Sequence, residues 1–265
     1  MPSITYRNCS IAYSSAGTGP AVVFIHGFGE DSRVWADFLP PFFEKYQTVT
    51  LDLPGAGASE PPAESTIEYF AEAVRTVVET LGLEKPVLIG HSMGGYVALA
   101  YAERYPLSGL GLFHSQPFAD TEEKKEARRK SAEFVEQQGS RPYVKELIPN
   151  LFTADFAAAH PGLLRMLVDR AAGFPPEGIA AALDAMRQRP DRSEVLRKAD
   201  YPILFIVGEE DKAIPEENSY AQTHLPERAL IHSLPGVAHM GMFEATEATQ
   251  GMVVEFLVQC FSGSE

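Results

Sequence analysis

The 265-residue chain carries 36 acidic against 22 basic side chains, a formal net charge of −14, which opposes binding to a phosphate backbone or an anionic membrane. Apolar residues make up 45% and charged residues 22%, a balance that excludes disordered and fibrous classes and leaves room for one large α/β domain with an insertion. The two cysteines, Cys9 and Cys260, are too few for a disulfide framework and lack metal-ligand spacing, so two free thiols in a reducing compartment are expected.

In chain order, residues 3–16 read as two short strands turning at Arg7–Asn8, a hairpin pattern. The start of the chain has neither the basic nor the apolar segment of a secretory signal. No apolar run approaches the ~18 residues of a membrane span, so a cytoplasmic location is expected. Ala21–Ile25 is unbroken apolar sequence, the pattern of a strand covered on both faces. A helix is predicted over 33–45, and a strand over 48–53 closed by the turn Pro54–Gly57.

Over 66–81, Ile67, Phe70, Ala71, Val74, Val77, Val78 and Leu81 recur every three or four positions, which predicts a helix capped by Thr66 and stopped by Gly82. Pro86–Ile89 is a further buried strand, followed by a helix over 93–104 and a strand over 110–113. Strands and helices alternating in this way predict a mostly parallel sheet with helices on both faces.

From 117 to 198 no strand-like run occurs, and helical segments are broken by Gly139, Pro149, Pro161, Gly173, Pro175 and Pro190. Alternation resumes with strands at 202–207 and 229–232 and a last helix at 245–260. The expected organisation is therefore an α/β core of residues 1–116 and 199–265 with a helical cap inserted at 117–198. The charged run Glu122–Lys130 leads with acids, ends with bases and pairs Glu126 with Lys130 at i,i+4, so it reads as a solvated helix face rather than a nucleic-acid patch.

Gly90-His91-Ser92-Met93-Gly94 lies directly between an apolar strand and a helix. That context turns a common five-residue pattern into a candidate nucleophile turn, because a serine held at a strained angle there projects from the sheet's carboxyl edge and side chains at 90 and 94 would collide. A serine hydroxyl needs a base and a group that orients the base. At the carboxyl ends of the later strands, Gly208–Pro215 offers Glu209, Glu210 and Asp211, and Pro235–Gly241 offers His239. The spacing of Asp211 from Gly208, ahead of Ile214–Pro215, favours it over the two glutamates. The expected triad is Ser92, Asp211 and His239.

His232, His224 and His160 are expected to be structural or superficial, and His91 and His114 to lie near the pocket without acting as bases. His26-Gly27-Phe28-Gly29 follows the first buried strand. The backbone N–H groups of Phe28 and Met93 are the expected oxyanion donors, with His26 bracing the loop. No metal or organic cofactor is expected, since H-E-x-x-H, P-loop and dinucleotide patterns are missing. The expected partner is a small-molecule substrate, with no nucleic acid and no membrane.

Together with Asp52-Leu53-Pro54-Gly55-Ala56-Gly57-Ala58-Ser59, these residues resemble the α/β-hydrolase superfamily over nearly the whole chain, and most of all its small capped serine esterases and hydrolases with a G-H-S-M-G-G elbow. The resemblance implies an eight-stranded sheet whose second strand is antiparallel, and a helical lid after the sixth strand. Ala56 stands where many relatives carry histidine. Ser92 in place of an elbow aspartate sets the chain apart from the haloalkane dehalogenases and epoxide hydrolases of that fold. The expected activity is hydrolysis of a carboxylic ester, thioester or lactone of a modestly hydrophobic substrate. The alternatives are a cofactor-free perhydrolase or haloperoxidase-like activity or carbon–carbon bond hydrolysis with the same triad, and a receptor-like ligand-binding protein.

Overall fold

The computed structural model describes residues 1–262; the last three positions of the expected core segment, 263–265, lie outside the described residues. Strands β1 (Ser3–Tyr6) and β2 (Cys9–Ala16) form the predicted hairpin. Arg7 and Asn8 both take positive φ, +45° and +66°, the backbone that matches a two-residue turn to the twist of its strands. Next come β3 (Ala21–Ile25), β4 (Gln47–Leu51), helix α1 (Ile67–Thr80), β5 (Val87–His91), α2 (Met93–Ala102) and β6 (Gly109–Phe113). The strand order is β1-β2-β4-β3-β5-β6-β7-β8, where β7 is Ile203–Gly208 and β8 is Ala229–Leu234. Only β2 runs against its neighbours; the pairs from β4 to β8 are parallel. The sheet therefore has the eight strands and the single reversed strand that the resemblance implies.

The central strands β5, β6 and β7 are buried at every residue, which is why their sequences are apolar without alternation. Helix α1 begins where the Thr66 hydroxyl accepts the Tyr69 N–H at 3.1 Å and ends before Gly82 at φ +63°. It turns Ile67, Phe70, Val74, Val77 and Val78 into the core, all fully buried, each contributing roughly 1.5–3 kcal/mol of transfer free energy.

The helix predicted over 33–45 does not form. Two short 3-10 turns take its place, Ser32–Trp35 and Pro40–Phe42. Pro40 and Pro41 lack the N–H groups a continuing helix needs, and their rings clash with the preceding turn. The apolar residues of this segment serve an aromatic cluster, in which Trp35, Phe38 and Phe42 pack around Phe24 at 5.3–6.1 Å between ring centres.

Six helices fill the chain between β6 and β7: α3 (Glu122–Gln138), α4 (Ser140–Leu147), α5 (Ala154–Ala159), α6 (Pro161–Ala171), α7 (Pro176–Gln188) and α8 (Ser193–Arg197). Helix α3 starts at Thr121, whose hydroxyl accepts the Lys124 N–H. Its charged face is exposed and laced by Lys130–Glu126 at 3.7 Å and by Arg129 with Glu126 and Glu133, as the solvated reading requires. Beyond β7, the short helices α9 (Glu216–Ala221) and α10 (Gly241–Glu244) precede and follow β8, and α11 (Thr246–Phe261) closes the described chain. No helix among the described residues is long and apolar enough to cross a membrane.

Candidate active site

Strand β5 ends at His91 and α2 begins at Met93, so Ser92 alone makes the turn between them, at φ +49° and ψ −115°. A left-handed backbone at a residue with a Cβ costs roughly 1–3 kcal/mol and persists only where its surroundings enforce it. Here the Ser92 N–H donates to the Phe113 carbonyl at 3.0 Å, and the Ser115 hydroxyl donates to the Ser92 carbonyl at 2.7 Å. A Cβ on Gly90 would sit 2.3 Å from the Gly94 carbonyl oxygen, and one on Gly94 would sit 2.3 Å from that of Ile25. Both glycines are therefore required by close approach, as the sequence pattern demands. As first residue of α2, Met93 has an N–H with no acceptor inside the helix, and the helix dipole places partial positive charge at this end.

Asp211 and His239 meet directly. His239 Nδ1 donates to Asp211 Oδ2 at 2.7 Å, while Asp211 Oδ1 accepts the N–H groups of Ala213 and Ile214 at 2.8 and 3.0 Å. Burial alone would raise the Asp211 pKa; the facing imidazole and its hydrogen bond hold it down at about 2. The bond fixes the tautomer, because a proton on Nδ1 leaves the Nε2 lone pair of a neutral ring free to accept another. Of the three acids in this loop, Glu209 pairs with the Ser233 hydroxyl at the surface and Glu210 is exposed, so Asp211 alone reaches the histidine.

Ser92 and His239 line one cavity of about 110 Å³, with Phe28, Glu30, Tyr96, Arg128, Tyr143, Leu147, Leu151, Met186, Ala213 and Ile214. The Ser92 hydroxyl makes no hydrogen bond to another described residue. The larger groove outside, about 430 Å³, shares Tyr143 and Leu147 with this cavity.

The other histidines divide by environment. His26 is a brace: Nδ1 donates to the Gly27 carbonyl at 2.8 Å and Nε2 accepts the Leu53 N–H at 2.9 Å. His160 and His224 are exposed, and the half-buried His232 lies 4.0 Å from Glu255. His114 is buried behind the acid, with Nδ1 3.6 Å from Asp211 Oδ2 and Nε2 accepting the Gly241 N–H. Its burial pushes its pKa well down, so it is neutral. His91, also buried, places Nδ1 3.0 Å from Glu30 Oε2 and Nε2 2.9 Å from the His239 carbonyl oxygen.

Two groups at the site escaped sequence reasoning. Glu30 accepts the Gly27 N–H at 2.7 Å as well as facing His91; its only signal was an acid directly after His-Gly-Phe-Gly. Arg128 corrects the reading of Glu122–Lys130 as wholly solvated: it lies on the face of α3 opposite the exposed one, lines the cavity and is tethered to buried Asp120, which also faces the Arg189 guanidinium at 2.9 Å. Arg189 in turn lies 3.9 Å over the Tyr96 ring. Among the described residues no cluster of His, Cys, Asp and Glu is arranged to hold a metal ion. Cys9 is buried and Cys260 half-buried, and the two are unbonded thiols.

The family model of the alpha/beta hydrolase fold matches residues 20–246. A thermophilic esterase from Thermogutta terrifontis superposes with a TM-score of 0.90 at 32% identity, covering 95% of this chain and 94% of that one. The chain is 28% identical to the 2-succinyl-6-hydroxy-2,4-cyclohexadiene-1-carboxylate synthase of Enterobacter sp. (strain 638), over 90% of its own length and 92% of the relative's. It is also 28% identical to the pimeloyl-[acyl-carrier protein] methyl ester esterase of Methylococcus capsulatus, over 92% and 96% of the two lengths.

Proposed function

The chain belongs to the alpha/beta hydrolase family, and on that premise we propose that it cleaves an ester-type bond of a small, modestly hydrophobic substrate through an acyl-enzyme on Ser92. The observation that carries the reading is the His239–Asp211 bond of 2.7 Å, with His239 and the strained Ser92 lining one cavity. In the first step His239 Nε2 takes the Ser92 proton as Oγ attacks the carbonyl, and Asp211 stabilises the imidazolium that forms. The Phe28 and Met93 N–H groups receive the oxyanion, each worth ~3 kcal/mol of the barrier by analogy with single-donor removals. The imidazolium then protonates the departing alcohol or thiol, and water repeats the cycle on the acyl-enzyme.

The small cavity at Ser92 favours a compact acyl group, and the wider groove beyond Tyr143 and Leu147 gives room for the remainder of the substrate. Residues 117–198 act as a lid in this reading. Tyr143 of α4 packs on Phe28 at 6.2 Å between ring centres, and the Leu151 carbonyl accepts the His239 N–H at 2.9 Å, so the helical block touches both sides of the site. Intact-mass analysis after exposure to a fluorophosphonate tests the assignment. One phosphonyl adduct is expected on wild type and none on Ser92→Ala. Ester turnover by Ser92→Ala equal to wild type would overturn it.

A further inference from the structure

We infer that Glu30 and His91 form a buried carboxylate–imidazolium clamp that holds the Phe28 loop, the Ser92 turn and the His239 backbone in register for acyl transfer. The inference rests on the acyl-transfer reading of Ser92 and His239, and its own support is a count of protons. A neutral imidazole has one N–H and one lone pair. Both ring nitrogens of His91 face acceptors: the Glu30 carboxylate at 3.0 Å and the His239 carbonyl oxygen at 2.9 Å. A carbonyl has no proton to give, so Nε2 carries one. Glu30 Oε2 already accepts the Gly27 N–H at 2.7 Å, which favours the ionised carboxylate, so Nδ1 carries the other.

The pair is almost wholly buried, with 0% of the His91 and 5% of the Glu30 side chain exposed, and only Glu30 reaches the cavity wall. Trp35 and Phe113 meet the ring edge-on at 6.5 and 6.1 Å. The titratable groups around His91 are Glu30 from the loop after β3, His114 at the end of β6, Asp211 after β7 and His239 after β8. His114 is neutral and Asp211 is engaged by His239, so Glu30 is the counter-charge. Burial opposes both ionised forms; the partner's charge and hydrogen bonds nevertheless raise the His91 pKa and lower that of Glu30.

The clamp joins three segments. Gly27 precedes Phe28 in the proposed oxyanion loop, His91 precedes Ser92, and the carbonyl that Nε2 grips is that of His239 itself. Neither Glu30 nor His91 is needed as acid or base in the two-step cycle, so both are positioning residues. Displacing reacting groups by ~1 Å costs on the order of 100-fold in rate without a comparable change in binding.

The test combines nitrogen NMR of histidine-labelled wild type at pH 8 with kinetics of Glu30→Ala, Glu30→Gln and His91→Ala on a short-chain p-nitrophenyl ester. The expected spectrum shows both His91 nitrogens protonated, at a pH where an ordinary imidazole is neutral. Both alanine variants are expected to lose about 30- to 100-fold in kcat with KM within about threefold. Glu30→Gln, which carries no charge and sets either an amide oxygen or an NH₂ where the single atom Oε2 takes both bonds, is expected to lose about as much kcat as Glu30→Ala. A singly protonated His91 in an active wild type, or folded alanine variants with unchanged kcat, overturns the clamp. A wild type whose Ser92 takes no phosphonate overturns the hydrolase reading instead, and the NMR result separates the two failures.

Discussion

Replacing Asp211 by asparagine has a consequence that the local hydrogen bonds dictate. Asp211 Oδ1 accepts two backbone N–H groups, from Ala213 and Ile214, and an asparagine must turn its carbonyl oxygen to them. Its NH₂ then faces His239 Nδ1, which in the wild type donates at 2.7 Å. Two donors cannot share that contact, so Nδ1 gives up its proton and Nε2 takes it. The ring then presents an N–H to the cavity, where the proposed first step needs a lone pair. The wrong tautomer in a Ser–His–Asp arrangement lowers kcat by about 10⁴-fold, which corresponds to about 5 kcal/mol of barrier. Steady-state hydrolysis of a short p-nitrophenyl ester, with Ser92→Ala as baseline, measures the loss, and circular dichroism verifies the fold. Asp211→Asn activity within tenfold of wild type would refute the reasoning, because it would mean that Asp211 does not set the proton position on His239.

The strain at Ser92 sets function against stability. Ser92→Gly relieves a φ of +49° and should exceed Ser92→Ala in stability by about 1 kcal/mol, both being inactive; urea unfolding measures this, and equal midpoints would count against a strained turn. Asp211 also makes the fold acid-sensitive. Its folded pKa of about 2 lies below the ordinary 3.8, so its contribution of about 2 kcal/mol is fully present above pH 4 and is lost as pH falls through 2. The stability gap between wild type and Asp211→Asn should shift by that amount between pH 6 and pH 2, and a pH-independent gap would contradict the ion pairing.

Legibility from sequence followed how locally each feature is determined. β3, β5, β6 and β7 were readable because strands covered on both faces leave unbroken apolar runs, and Gly90 and Gly94 because the turn around Ser92 is built from residues two positions apart. The segment at 33–45 misled because Trp35, Phe38 and Phe42 are apolar for a reason unrelated to a helix, their contact with Phe24, while Pro40–Pro41 dominates the backbone. Helices α9 and α10, of six and four residues, span too few turns to show a period. Glu30 stayed hidden for another reason. Its partner His91 is 61 residues away, and no spacing rule connects a loop acid to a histidine on another strand. Asp120 and Arg189 share that property, since they meet from the loop before α3 and the residue after α7.

The site's dependence on parallel strands explains why distant residues converge at all. β3, β5, β6, β7 and β8 run in one direction, so the loops that leave them all emerge at the same rim. Phe28 and Glu30 follow β3, His91 and Ser92 end β5, His114 follows β6, Asp211 follows β7 and His239 follows β8. Reversing any one of these strands would send its group to the far edge of the sheet. The backbone of His239 is then held from two directions, its N–H by Leu151 of the helical block and its carbonyl by His91 of the elbow strand. A movement of the block that breaks the Leu151 contact would leave the His239 backbone held by His91, while its ring stays bonded to Asp211.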